Sequence, residues 1–143
     1  MPRLLLFAPC EKVITDQQGN SVSLITLLQE IRYSVFQNVQ IPPNAALPMK
    51  WDVLSLWEKE TGDEGIEFEQ KIRLVDRNER VLIEYGAQFR FEKRVHRLTL
   101  RILGFPMTEP GLLNLVLLLT RPGLDWTEVT RYPLELVRET TAQ

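Results

Sequence analysis

The stretch Ile66-Glu67-Phe68-Glu69-Gln70-Lys71-Ile72-Arg73-Leu74 decides the fold. Apolar and charged residues alternate with a period of two. In an extended chain that period sends Ile66, Phe68, Ile72 and Leu74 to one face and Glu67, Glu69, Lys71 and Arg73 to the other. Only Gln70 interrupts the apolar face. A polar turn, Asp76-Arg77-Asn78-Glu79, follows. Beyond it Val81, Ile83, Tyr85, Ala87, Phe89 and Phe91 alternate with Leu82, Glu84, Gly86, Gln88, Arg90 and Glu92. Two alternating runs about a short polar connection predict a β-hairpin.

The pattern continues toward the C-terminus. His96, Leu98, Leu100 and Ile102 face inward against Arg97, Thr99 and Arg101, up to Gly104-Phe105-Pro106. Glu109-Pro110-Gly111 marks a turn. Leu112–Thr120 then reads as a nearly continuous apolar strand, closed by Arg121-Pro122-Gly123. A last strand over Glu128–Val137 puts Tyr132, Leu134 and Leu136 on one face, and Pro133 within it favours an edge, because proline cannot donate to a ladder.

The N-terminal half is less regular. Leu4–Thr15 predicts a strand and Asp16-Gln17-Gln18-Gly19-Asn20 a hairpin loop. In Ser21–Val35, Leu24, Leu27, Leu28, Ile31 and Val35 also fit a helical stripe. The β-branched and aromatic Ile31, Tyr33 and Val35, and the lack of an N-cap pattern, favour a strand. Residues 38–48 form an extended proline-rich crossing between sheets, Met49–Glu58 another strand, and Lys59–Gly65 an acidic loop. The sum is about eight strands without a helix: an all-β, antiparallel β-sandwich occupying residues 1–143 as one domain.

Composition narrows the function classes. The chain has 143 residues, 44% hydrophobic and 25% charged, enough for a core without staples. A single cysteine forbids an internal disulfide, and a single histidine excludes a multi-His metal site. The net charge of −2 argues against nucleic acid as a partner. The apolar run Leu4–Ala8, ahead of Pro9-Cys10, is too short for a secretory core, and Leu115–Leu119 is far too short to span a membrane. Cytoplasmic residence without membrane attachment is the expectation.

Phe7-Ala8-Pro9-Cys10-Glu11-Lys12-Val13, the Asp16…Gly19 turn, Ser23-Leu24-Ile25, the Pro42-Pro43…Leu47-Pro48 crossing and the Gly104-Phe105-Pro106…Pro110-Gly111 step occur in that order. Together they resemble an uncharacterised family of small bacterial all-β proteins. The resemblance implies an immunoglobulin-like or C2-like sandwich, and it brings no catalytic residues with it.

Few side chains point to chemistry. Cys10, with Lys12 on the same strand face, could be a lowered-pKa thiol, but papain-type chemistry needs a histidine base and only His96 exists; a buried small hydrophobe is the commoner role. His96 begins an apolar face and would need a partner carboxylate to move protons. The Glu58–Gly65 run lacks the ligand spacing of a calcium loop, and its carboxylates read as a solvated loop. Residues 71–101 carry nine Lys and Arg against four acidic residues, a basic face that cross-strand ion pairs can absorb. Trp51 and Trp57 share inward parity; Trp126 follows a turn, where an exposed indole could stack on a sugar.

These readings predict no cofactor, no metal and no enzymatic activity. The expected function is that of a non-enzymatic interaction or scaffold protein, with an unidentified protein partner. The alternative is a ligand-binding module for a sugar or small acidic molecule; a hydrolase built on a carboxylate pair is third. A homodimer is also expected. Leu112, Val116 and Leu118 fall on the outward face of a strand whose inward face is already leucine, and Leu54, Leu56 and Leu82 share outward parity. Gathered on one sheet face, they would make an apolar patch that a second copy covers.

Overall fold

The computed structural model describes residues 1–16, 18 and 21–142, and among them the chain forms nine strands. These are β1 (Arg3–Asp16), β2 (Ser21–Leu27), β3 (Glu30–Phe36), β4 (Ala46–Glu58), β5 (Phe68–Val75), β6 (Val81–Phe89), β7 (Val95–Pro106), β8 (Gly111–Thr120) and β9 (Thr127–Thr141). A four-stranded sheet runs β2-β1-β4-β7 and a five-stranded sheet β3-β9-β8-β5-β6. The hairpin read from alternation is present, with Phe68 opposite Phe89 and Ile72 opposite Tyr85.

The sheets enclose one apolar core. Trp51, Val53, Trp57 and Ile102 come from the first sheet, and Phe68, Ile72, Leu74 and the four odd-numbered leucines of β8 from the second. Gln70, the interruption in the alternating face, is buried at the centre. Its Oε1 accepts Ser55 Oγ–H at 3.0 Å and Trp57 Nε1–H at 2.9 Å, across the gap between the sheets. A buried indole N–H needs an acceptor, and Gln70 supplies it.

Four expectations are corrected. Residues 21–35 are two strands, not one, which raises the count from about eight to nine. Thr26 takes a positive φ of 55°, and the short step at Leu28-Gln29 moves the chain into the other sheet. Because the chain changes sheets there without reversing within one, β3 arrives beside β9 in the same direction. The β3–β9 pair is parallel, so the second sheet is mixed and the architecture is not antiparallel throughout. Third, β9 is not an edge strand, since it lies between β3 and β8. Pro133 is still at a local edge: Glu135 N–H donates to Gln29 O at 2.9 Å, and β3 begins only opposite Glu135, two residues past the proline.

The fourth concerns β6. Val75 pairs Val81 while Leu74 pairs Ile83, so Leu82 is the extra residue of a β-bulge and packs against the core instead of pointing outward. Val81 and Tyr85, expected between the sheets, remain 46% and 37% exposed because β6 ends its sheet. The Asp16–Asn20 loop falls mostly outside the described residues. No helix among the described residues is long and apolar enough to cross a membrane.

Candidate functional site: the seam between two sheet edges

Each sheet ends in a strand that has one free edge: β6 in one, β7 in the other. The two are joined by Arg90–Arg94 and lie along the same side of the molecule without pairing to each other. Near that connection aromatic stacking closes the seam. The Phe89 and His96 rings lie 4.7 Å apart with planes 8° from parallel, and Phe91 meets both edge-on. His96 is half-buried, and its Nε2 is buried without a hydrogen-bond partner. Desolvation pushes its imidazole below the ordinary value, with Glu92 opposing in part, so the ring in this stack is neutral near pH 7.

At the other end the seam opens into a cavity of about 570 Å³. Val81, Ile83 and Tyr85 of β6 form one wall, Ile102 and Leu103 of β7 another, and residues 43–46 of the proline-rich crossing a third. Leu103 is 71% exposed, the most open large apolar side chain among the described residues. Gly104 shapes this end. Its φ of +88° turns β7, its carbonyl accepts Trp51 Nε1–H at 2.9 Å, and a Cβ there would meet the Ala46 Cβ at 3.4 Å. The crossing is pinned by the Ala46–Pro106 pairing and by Met107 N–H donating to Ala45 O at 2.9 Å. Arg80 stands at the rim with its guanidinium on Asp76 at 3.2 Å. A cleft of this kind, with apolar side chains set among polar backbone and Arg80 and a strand edge on each side, suits an extended chain.

The six residues expected to form one self-association patch are divided between the sheets. Leu54 is wholly buried on the outer face of β4. Beyond Cys10, β1 leaves β4 and continues with β2 as a two-stranded ribbon, which lays Val13, Val22 and Leu24 beside Leu54 and Leu56. Val13 N–H fastens the ribbon to Asp52 Oδ2 at 2.9 Å, and Arg101 Nε reaches Asp52 Oδ1 at 3.2 Å. On the other sheet Val116 is only 4% exposed. It is flanked in register by Arg73 and Arg131, whose heads bind Glu84 on one side and Glu79 and Glu128 on the other. Aliphatic stems under a charged network thus roof the outward face of β8. Leu118 lies beside Lys71, Leu82 sits in the β6 bulge, and Leu112, at 53%, is the one of the six that is open to solvent.

The other singled-out residues serve the fold. Cys10 is fully buried; burial pushes its thiol up and Asp52 pushes it further. Asp63, in the acidic loop, is buried and accepts Glu60 N–H at 2.9 Å. Among the described residues no three His, Cys, Asp or Glu side chains are grouped to hold a metal ion. Trp51 and Trp57 are core residues. Trp126 is half-buried, and Lys71 Nζ occupies its ring face at 4.3 Å from the centroid. In the basic window seven of the nine cations are ion-paired, to Glu84, Glu109, Asp76, Glu67, Glu58 and Asp52.

Alternation could not reveal the seam, since it arises where two sheets part. Its open end was nonetheless marked, because Pro42-Pro43 and Gly104-Phe105-Pro106 are turn signals in their own right. No protein-family model matches this chain, and no curated protein is significantly similar to it.

Proposed function

We propose that this protein is a non-enzymatic interaction domain that takes an extended, alternately apolar segment of a partner protein into the seam between β6 and β7. The observation that carries the reading is that two free strand edges flank one cavity with apolar side chains in its walls, Leu103 the most exposed of them. A free edge offers rows of N–H and C=O groups to an added strand, and pockets beside it select alternate side chains. The buried polar side chains support binding over catalysis: Asp52 is committed to Val13 N–H and Arg101, Asp63 to Glu60 N–H and the Met1 ammonium, and Gln70 to Ser55 and Trp57. The sequence resemblance to small bacterial proteins agrees with a domain of immunoglobulin-like or C2-like build.

A synthetic array of extended peptides tests this. Peptides with alternating Val, Leu or Tyr bind, their scrambled versions do not, and Leu103→Asp abolishes binding while amide exchange slows along β6 or β7 of the wild type. Binding that survives Leu103→Asp overturns the proposal. A second copy of this chain is one form the partner can take; light scattering then shows a dimer that Leu103→Asp returns to monomer.

A further inference from the structure

A second hollow lies on the opposite face of β7 from the core. It has a volume of about 510 Å³ and lies where the β6–β7 connection meets the outer face of the first sheet. Its apolar lining is Leu56 and Val22, brought together where the β1–β2 ribbon folds over β4, and Leu56 stands directly opposite Arg97 in the β4–β7 register. Its charged lining is Glu92, Lys93, Arg94 and Arg97.

The ion pairing of the basic window makes this hollow distinct. Lys93 and Arg97 are the two cations of that window with no ion-pair partner among the described residues, and both line the same cavity. Arg94 is neutralised by Glu58, which also binds Arg3 at 2.6 Å. His96 also lines the hollow, and burial keeps it neutral. With Glu92 counted against Lys93 and Arg97, one positive charge is left uncompensated beside an apolar floor. Cations of like sign repel, and an anion placed between them relieves that repulsion while its hydrocarbon part covers Leu56 and Val22.

We infer that this hollow binds a small amphipathic carboxylate, one negative charge carried on a short hydrocarbon body. The guanidinium of Arg97 and the ammonium of Lys93 receive the carboxylate, and Leu56 and Val22 receive the chain. This site is separate from the seam and does not depend on it.

Titration calorimetry with octanoate at pH 7 and low salt is the test, with 1-octanol and acetate as probes that carry only the body or only the charge. Octanoate binds at one saturable site, each of the other two at least about tenfold more weakly. The double variant Lys93→Gln/Arg97→Gln loses at least about tenfold in octanoate affinity, whereas Arg77→Gln and the seam variant Leu103→Asp keep it. Amide chemical-shift changes in the wild type cluster over residues 92–97. The inference is overturned if octanoate fails to saturate at millimolar concentration, if octanol binds as well, if the double variant binds unchanged, or if the shift changes gather elsewhere.

Discussion

Trp57 in one sheet and Gln70 in the other meet through a single hydrogen bond, the indole N–H donating to the amide oxygen at 2.9 Å. Ser55 donates to the same oxygen, so one amide satisfies two buried donors. Gln70→Leu leaves both buried donors without this acceptor. It should destabilise the protein by about 1–3 kcal/mol, the cost of stranding a buried polar group, although leucine fills a similar volume. Urea unfolding of Gln70→Leu and of Gln70→Leu/Ser55→Ala checks it, with the second variant recovering part of the loss. An unchanged midpoint would mean that the polar bridge contributes nothing.

His96 makes stability pH-dependent. Because burial holds the native imidazole below its ordinary 6.5, the unfolded chain binds a proton over a range where the native one does not. Stability is therefore full above pH 6.5 and falls as the pH drops below it. The carboxylates act in a lower window. Glu79, held down by its hydrogen bonds to Arg131, and Asp76, held down by the Arg80 N–H, contribute fully above their ordinary 4.5 and 3.8 and lose that contribution as the pH falls further. His96→Phe keeps the ring stack on Phe89 and should flatten the urea midpoint between pH 5 and about 6.5 while leaving the lower window intact.

Leu54 and Leu112 share outward parity but not environment. Leu54→Ala should cost about 2–5 kcal/mol, because the β1–β2 ribbon cannot collapse fully onto the vacancy. Leu112→Ala should stay within about 0.5 kcal/mol of the wild type, as exposed positions do. Equal effects in thermal or urea unfolding would contradict the ribbon cover over β4.

Gly104→Ala should destabilise by about 1–2 kcal/mol, the cost of placing a Cβ in the left-handed region. The new methyl would make an ordinary contact with the Ala46 Cβ at 3.4 Å, so the cost comes from the backbone alone. Urea unfolding checks it, and an unchanged midpoint would count against it.

Alternation made the hairpin from Phe68 to Phe89 legible, together with its buried face and the inward parity of Trp51, Trp57, His96 and Ile102. Burial on one side of a pleated strand writes itself into every second residue. What alternation does not encode is which strand lies beside which. Nothing in Thr26-Leu27-Leu28-Gln29 resembles a turn, so the change of sheet there was hidden, and with it the parallel pairing of β3 and β9. The outward leucines of β8 looked like a patch because arginine stems count as polar letters in a sequence and as apolar cover in a fold. The bulge at Leu82 shifted parity without any glycine to announce it. The seam was hidden for the same reason as the pairing, being a property of two edges that part.

The parallel pairing of β3 with β9 also fixes an order of events. Arg32 and Glu139 are salt-bridged partners 107 residues apart in the chain. During synthesis β3 therefore has no mate until β9 has emerged about a hundred residues later, and the leucine-rich β8, once made, carries an unpaired edge until β9 follows it. Pairings this distant are closed slowly, since loop entropy is lost before the contact is gained. The interval before β9 docks is when a nascent chain of this protein is most open to aggregation or to capture by a chaperone.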